Sequence, residues 1–171
     1  DIDEKVNKQS EIIFLEGYLW DKGDPQNAFN KAIMHSSQSA MSLSDLFCVE
    51  RHKKYFLDLV KNKLNITFAN EQEIIALIGA KNFDEVINFT KEIKRLVIIT
   101  RGEKGSMAIQ DNNVIECKAK KNLKIKDLTG AGDLFAAGFL HGYVNDLSLK
   151  ESLEKGTELS AKIIQQIGAR F

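Results

Sequence analysis

Short apolar runs alternate with longer amphipathic segments along this chain. Most of the short runs are rich in β-branched or aromatic residues and predict strands. They lie at Ile12–Leu15, Ala40–Leu43, Leu64–Ala69 and Leu96–Ile99. The longer segments carry apolar residues at helical spacing and predict helices. They lie at Pro25–Ser36, Arg51–Lys61, Asn70–Ile78 and Asn82–Lys94. Further on, Ser106–Ile109 and Val114–Cys117 predict an antiparallel pair, and Leu149–Ile167 predicts a long final helix.

Strands that alternate with helices predict an α/β fold, a mostly parallel sheet with helices on both faces. The small antiparallel pair would follow the parallel strands. In such sheets, ligands bind beyond the carboxyl ends of the strands. The residues predicted to lie at those ends are polar or glycine: Glu16–Gly17, Ser44–Asp45, Asn70 and Thr100–Gly102. We therefore expect the functional site at this edge.

Composition narrows the class of protein. The chain has 171 residues, of which 43% are hydrophobic and 28% charged, and its formal net charge is zero. No basic patch or tail suggests a nucleic-acid partner, and no apolar run reaches the length of a membrane span. Cys48 and Cys117 are far apart and unpatterned, so a disulfide framework or a zinc site is not expected, and a cytoplasmic location fits.

The most informative stretch is Asp127–Asp133, here called the signature loop, which leads directly into an Ala-rich apolar segment. Glycines at the start of a helix expose backbone N–H groups, and the helix dipole favours an anion there. Asp133 would lie in the first turn, where the dipole favours its ionised form. A phosphate cradle beside a carboxylate suits phosphoryl transfer to a hydroxyl. The alternative is that the glycines only form a tight turn.

Two common phosphate motifs do not match these residues. No Gly-Lys-Ser/Thr follows, and Phe135 occupies the place of the third Rossmann glycine. The whole string, Asp-x-Thr-Gly-Ala-Gly-Asp, resembles the second signature of the ribokinase-like (PfkB) family of carbohydrate and nucleoside kinases. The resemblance implies that Asp133 is the general base and that Gly130, Ala131 and Gly132 form the anion hole. It also implies that Asp127 and Thr129 flank the site and, in some members, help to bind potassium.

A second family motif, Asn-x-x-Glu, is present at Asn70 and Glu73. The resemblance associates it with magnesium and phosphate, through ordered water. The alternative is a helix capping box, and Asn82 and Glu85 have the same spacing. Only Asn70 directly follows a buried type of strand, so we favour Asn70 and Glu73 as the functional pair.

A third region resembles the nucleotide-binding turn of the family. It contains Thr100, Gly102 and Gly105, which follow the strongest predicted strand. The glycines could equally serve only the turn. By the same resemblance, residues 117–123 and the last helix near Ser160 and Ile164 would line the adenine site.

The resemblance covers nearly the whole chain, as a single domain over residues 1–171, but only the C-terminal part of the family. The Gly-Gly substrate motif and the β lid of full members have no counterpart here. We therefore expect a piece that is truncated at its N-terminal side and that forms a homodimer or associates with a missing half. The implied activity is ATP-dependent, magnesium-assisted phosphorylation of a primary hydroxyl on a sugar or nucleoside. The alternatives are a nucleotide-binding or interaction module without turnover, or an inactive fragment.

One further segment bears on the substrate. Leu43–Cys48 and the following Arg51–His52 resemble a stretch seen in bacterial adenosine and sugar kinases. Adenosine, ribose and fructose all remain compatible as acceptors.

Overall fold

The computed structural model describes residues 2–21 and 23–171 of the chain. Its strands are β1 (Ile13–Glu16), β2 (Ser39–Ser42), β3 (Ile66–Asn70), β4 (Leu96–Thr100), β5 (Ser106–Gln110) and β6 (Asn113–Cys117). Its α-helices are α1 (Glu4–Gln9), α2 (Pro25–Met34), α3 (Leu46–Asp58), α4 (Glu71–Ile78), α5 (Phe83–Glu92), α6 (Ala131–Val144) and α7 (Leu149–Ile163). The predicted alternation of strands and helices is confirmed.

The strands form one sheet of six in the order β1-β2-β3-β4-β5-β6. The first three are parallel and in close register, with Phe14 opposite Ala40 and Ala40 opposite Ile66. The connections from β4 to β5 and from β5 to β6 are too short for a parallel crossover, which needs about a dozen residues, so these pairs are antiparallel. The predicted mostly parallel sheet with a small antiparallel part is confirmed.

The chain divides into two compact units. The first runs up to Ile99 and includes Ile109–Asn113; fully buried Met41, Phe56 and Ile74 belong to its core. The second comprises residues 100–108 and 114–171. Its core includes Phe139, Leu153 and Ile163, which are fully buried. The single-domain expectation stays a prediction.

Several element boundaries differ from the predicted ones. The first strand ends at Glu16, and Gly17–Asp21 turns into a 3-10 helix that buries Trp20 against Phe29 and Phe56. A Cβ at Gly17 would lie 2.7 Å from the Leu43 carbonyl oxygen, so only glycine fits at this turn.

Helix α3 begins at Leu46, earlier than the predicted Arg51, because the Asp45 side chain accepts a hydrogen bond from the Cys48 N–H at 2.8 Å. The last helix ends at Ile163 instead of Ile167. Helix α1 was not predicted from the sequence; Asp3 caps it by accepting from the N–H groups of Lys5 and Val6. Caps and short turns therefore account for most of the boundary differences.

Candidate functional site

The signature loop leads directly into the N-terminus of helix α6. Gly130 is the N-cap in the left-handed conformation, with φ of 77°, and within residues 2–21 and 23–171 no side chain caps this helix. The N–H of Ala131 bonds to the Leu128 carbonyl at 3.1 Å. An ideal Cβ placed on Gly132 meets no atom within 4 Å, so the space beside this residue is open. The first turn of α6 therefore offers N–H groups to an anion.

Gly130 cannot be replaced without strain. A Cβ at this position would lie 2.8 Å from the Cβ of Ala169, and the positive φ disfavours any other residue. Asp133, in contrast, is exposed in the first turn of α6. The structure thus places Gly130, Ala131, Gly132 and Asp133 in one turn, as the sequence predicts.

Asp127 at the start of the loop accepts hydrogen bonds from two segments. Its Oδ1 accepts from the N–H of Thr129 at 2.9 Å and from the Thr129 hydroxyl at 2.7 Å. Its Oδ2 accepts from the N–H of Gly168 at 3.0 Å. The bond from Gly168, followed by those from Thr129, lowers the pKa of Asp127 to about 2. Sequence reasoning missed Gly168, for which the only signal is a glycine just after the last helix.

The three predicted nucleotide-binding residues lie at the end of β4, which Thr100 closes, and in the turn that follows it, which contains Gly102 and Gly105. Gly102 and Gly105 both have positive φ, 57° and 94°. The N–H of Arg101 bonds to the Gly105 carbonyl at 2.8 Å, which closes the turn. A Cβ at Gly105 would overlap the Cys117 carbonyl oxygen, whereas one at Gly102 would meet nothing within 4 Å. Packing therefore explains Gly105, while Gly102 and Thr100 stay candidates for nucleotide contact.

In the first unit, Asn70 and Glu73 form a complete capping box at the start of α4. The Asn70 side chain accepts from the Glu73 N–H at 2.8 Å. In return, the Glu73 carboxylate accepts from the Asn70 N–H at 2.9 Å and from its side-chain amide at 2.7 Å. Glu73 is only 5% exposed, and this burial raises its pKa, assisted by nearby Asp45 and opposed by the Asn70 N–H.

The matching pair Asn82 and Glu85 differs in its surroundings. The Asn82 side chain accepts from the Glu85 N–H at 3.0 Å, and the Glu85 carboxylate accepts from the Lys81 N–H at 2.9 Å, but Glu85 is exposed. The capping interpretation fits both pairs, and only Glu73 is a buried carboxylate at the carboxyl end of a strand.

Two further residues lie at the carboxyl ends of β1 and β2. The hydroxyl of Tyr18 donates to the Ser44 carbonyl at 3.4 Å, and the Tyr18 N–H donates to the Ser44 hydroxyl at 3.3 Å. Ser44 has a φ of 74°, which is unusual for a residue with a side chain. Burial, and then the nearby Asp45 carboxylate, raise the pKa of Tyr18. The sequence gives no sign of this contact beyond the polar residues at the strand end.

Among residues 2–21 and 23–171, no group of three or more His, Cys, Asp or Glu side chains is placed to hold a metal ion. In the same residues, no helix combines the length and apolar character needed to cross a membrane. Cys48 and Cys117 are both buried free thiols.

Comparisons with known proteins agree with the fold. The family model described as pfkB family carbohydrate kinase matches residues 1–171. The chain is 34% identical over 112 residues to a cytidine kinase of Thermococcus kodakarensis. This match covers 64% of this chain and 40% of that relative.

Solved structures are similar over the entire chain. The adenosine kinase of Sinorhizobium meliloti superposes with a TM-score of 0.96 and 36% identity, over 100% of this chain and 54% of that one. A probable sugar kinase of Rhizobium etli gives a TM-score of 0.92 and 34% identity, over 99% of this chain and 53% of that one. The chain thus spans about half the length of these structures. It belongs to the pfkB family of carbohydrate kinases.

Proposed function

We propose that this chain carries the nucleotide-binding and phosphoryl-transfer residues of an ATP-dependent kinase that phosphorylates a primary hydroxyl of a nucleoside or sugar. The observation that supports it most is the open N-terminus of α6, with Gly132 facing free space and Asp133 in the same turn. The family match supports the same chemistry.

Each residue of this turn has a distinct task. The N–H groups of Gly130, Ala131 and Gly132 bind the phosphoryl group, with that of Ala131 exchanging the Leu128 carbonyl for a phosphoryl oxygen, and they stabilise the charge that grows on those oxygens during transfer. The Asp133 carboxylate accepts the proton of the acceptor hydroxyl while that oxygen attacks the γ-phosphorus. Thr100, at the end of β4, and Gly102, in the turn after it, contact the nucleotide, with Gly105 shaping that turn and Thr129 shaping the signature loop.

Magnesium fits the residues present. Mg²⁺ usually keeps several waters and takes only one or two protein carboxylates besides the substrate phosphates, so a cluster of three ligands is not required. Glu73 is a buried carboxylate whose oxygens each accept one hydrogen bond from Asn70 and retain a lone pair. Asn70 and Glu73 would hold the ion through water, and the ion would neutralise phosphate charge. Asp127 and Thr129 are the residues that would serve potassium.

A nucleoside is the favoured acceptor. The relatives with 34% and 36% identity named above are a cytidine kinase and an adenosine kinase. A sugar acceptor is kept as the alternative because the Rhizobium etli protein is a probable sugar kinase.

Calorimetric titration with ATP and magnesium tests the anion site. We expect the wild-type chain to bind and Gly132→Val to lose binding, because the valine side chain fills the open space beside the N–H groups. Ala137→Val is the matched control: it adds the same side chain to an exposed position of α6 and leaves binding unchanged.

Adding adenosine, cytidine or a sugar to the ATP-bound chain then tests phosphoryl transfer. The kinase proposal is supported if the wild type forms phosphorylated product and Asp133→Asn binds ATP but forms none. Binding without any product would favour a nucleotide-binding module, and a wild-type chain that binds no ATP would contradict the proposal.

A further inference from the structure

Residues 118–126, directly before the signature loop, are rich in lysine and are here called the basic segment. Its lysines are Lys118, Lys120, Lys121, Lys124 and Lys126, and it contains no acidic residue. All five lysines are exposed, while Ala119 and Leu123 between them are half-buried. The zero net charge of the whole chain therefore conceals a local excess of positive charge.

The ammonium groups of the basic segment have no partner in the part of the chain that the structure describes. There, none of the five lysine side chains makes an ion pair or a hydrogen bond, whereas Lys31, Lys63 and Lys150 each lie within 3.8 Å of a carboxylate oxygen. Asp127, the acid that follows the segment, accepts from Thr129 and Gly168 instead. Unpaired like charges that lie close together repel one another and attract anions.

The basic segment connects the two turns that the proposed function assigns to the nucleotide. At its start, the backbone nitrogen of Ala119 lies 3.0 Å from the place that a Cβ on Gly105 would take, in the turn after β4. At its end, Lys126 immediately precedes the signature loop. Both turns and the basic segment belong to the second unit. An anion drawn to these lysines is thus held beside the N-terminus of α6.

The backbone that carries the later lysines is bonded to the residues after α7. The N–H of Lys126 donates to the Ile164 carbonyl at 2.8 Å, and the N–H of Lys124 donates to the Gln165 side-chain oxygen at 3.4 Å. The segment has neither helix nor strand, so these bonds help to set its course. The side chains, in contrast, extend freely from it into solvent.

Lysine suits the capture of an anion more than its fixed recognition. Its ammonium group is a hydrated point charge on a flexible stem, without the planar fork of arginine. Clustered charges of this kind raise the rate at which an opposite charge arrives, by about tenfold or more at low salt, and salt screens the effect. The segment has no aromatic side chain on which a base could stack, which favours a short phosphate chain over a nucleic acid.

We propose that the basic segment attracts the phosphate chain of the incoming nucleotide and so speeds its arrival at the N–H groups of Gly130–Gly132. This capture rests on the proposed function, because it needs a nucleotide that binds at that turn. It acts on the association rate and takes no part in the transfer of the phosphoryl group.

Stopped-flow association of a fluorescent ATP analogue with magnesium tests the capture. The variant replaces all five lysines by glutamine: Lys118→Gln, Lys120→Gln, Lys121→Gln, Lys124→Gln and Lys126→Gln. We expect its association rate constant to be about fivefold or more below that of the wild type at about 20 mM salt. The difference should shrink to less than about twofold at about 500 mM salt, and the dissociation rate should change little.

A matched control removes the same charge from the first unit. It replaces the exposed lysines Lys5, Lys8, Lys53, Lys54 and Lys81 by glutamine. This control should keep most of the wild-type rate, and a variant with arginine at the five positions of the basic segment should keep it too, because the charge remains. Equal association rates for the wild type and the basic-segment variant at low salt, or an equal loss in the control, would overturn the proposal.

An NMR titration of the free chain with inorganic tripolyphosphate separates this proposal from the proposed function. We expect the backbone amide signals of residues 118–126 to shift in the wild type and not in the glutamine variant. Unchanged signals in the wild type would overturn the capture even if ATP binds. If tripolyphosphate shifts these signals but no ATP binds, the proposed function and nucleotide capture are both refuted. Tighter binding of an oligouridine of equal charge would assign the segment to nucleic acid and would also overturn the proposal.

Discussion

At the scale of single residues, Glu73 is a buried carboxylate with opposing influences on its pKa. Burial, the larger one, raises the pKa above its ordinary value of 4.5, and the Asn70 N–H lowers it in part. A raised pKa in the folded state means that this group favours folding most below pH about 4.5. That contribution is lost as the pH rises through the folded pKa.

We therefore expect the wild type to lose stability relative to Glu73→Gln as the pH rises from about 4 to about 7, because glutamine does not titrate. Urea unfolding at a series of pH values measures the difference. Glu85→Gln is the control, since Glu85 has the same motif spacing but is exposed. If the wild type instead gains stability relative to Glu73→Gln over this range, the effect of the Asn70 bonds on the pKa of Glu73 outweighs the effect of burial.

What the sequence could predict at this scale was local. The pairs Asn70–Glu73 and Asn82–Glu85 share one spacing, and the apolar run before Asn70 correctly indicated which of them follows a strand. The bond between Asp127 and Gly168 joins residues 41 positions apart. Nothing in either stretch alone encodes it, because it depends on how the turn after α7 returns to the loop.

At the scale of elements, helices α6 and α7 cross in close contact at glycines. A Cβ at Gly138 would lie 2.7 Å from the Lys155 carbonyl oxygen, and one at Gly156 would lie 2.7 Å from the Phe135 carbonyl oxygen. A Cβ at Gly142 would likewise lie 2.8 Å from the hydroxyl oxygen of Ser152. These contacts fix where the N-terminus of α6 lies relative to α7, and so they support the loop.

We expect Gly156→Ala to destabilise the chain by about 1–3 kcal/mol, because the added methyl overlaps backbone that cannot move aside. This outcome opposes intrinsic helix propensity, by which alanine is favoured over glycine by about 1 kcal/mol. Gly132→Ala, in the open first turn of α6, is the control and should be neutral or slightly stabilising. Urea unfolding compares the variants, and a Gly156→Ala chain as stable as wild type would contradict the close crossing.

The spacing of apolar residues predicted the strands and most of the helices, but it does not encode helix caps or crossings. Helix α3 was predicted to begin too late because Asp45 was assigned to a strand end and not to an N-cap. The glycines of α6 and α7 lower helix propensity when taken alone, and their role becomes clear only with the facing helix present.

At the scale of the whole molecule, strand β1 lies at one end of the sheet. In the part of the chain that the structure describes, it pairs with β2 and with no strand on its other side. Apolar side chains near it are partly exposed, with Phe14 at 37% and Leu19 at 58%. Strand β6 ends the sheet on the other side, but Asn113 and Glu116 make that edge more polar. An apolar edge strand favours pairing with a further strand.

We expect this apolar edge to pair with a second copy of the chain. For the chain of 171 residues alone, we expect association that increases with concentration in sedimentation velocity. Phe14→Lys should shift the chain toward monomer, because a charge on an edge strand opposes pairing. Val114→Lys, on β6, is the matched control and should leave the association unchanged. A wild type that is monomeric at every concentration, or that responds equally to both lysines, would contradict pairing at β1.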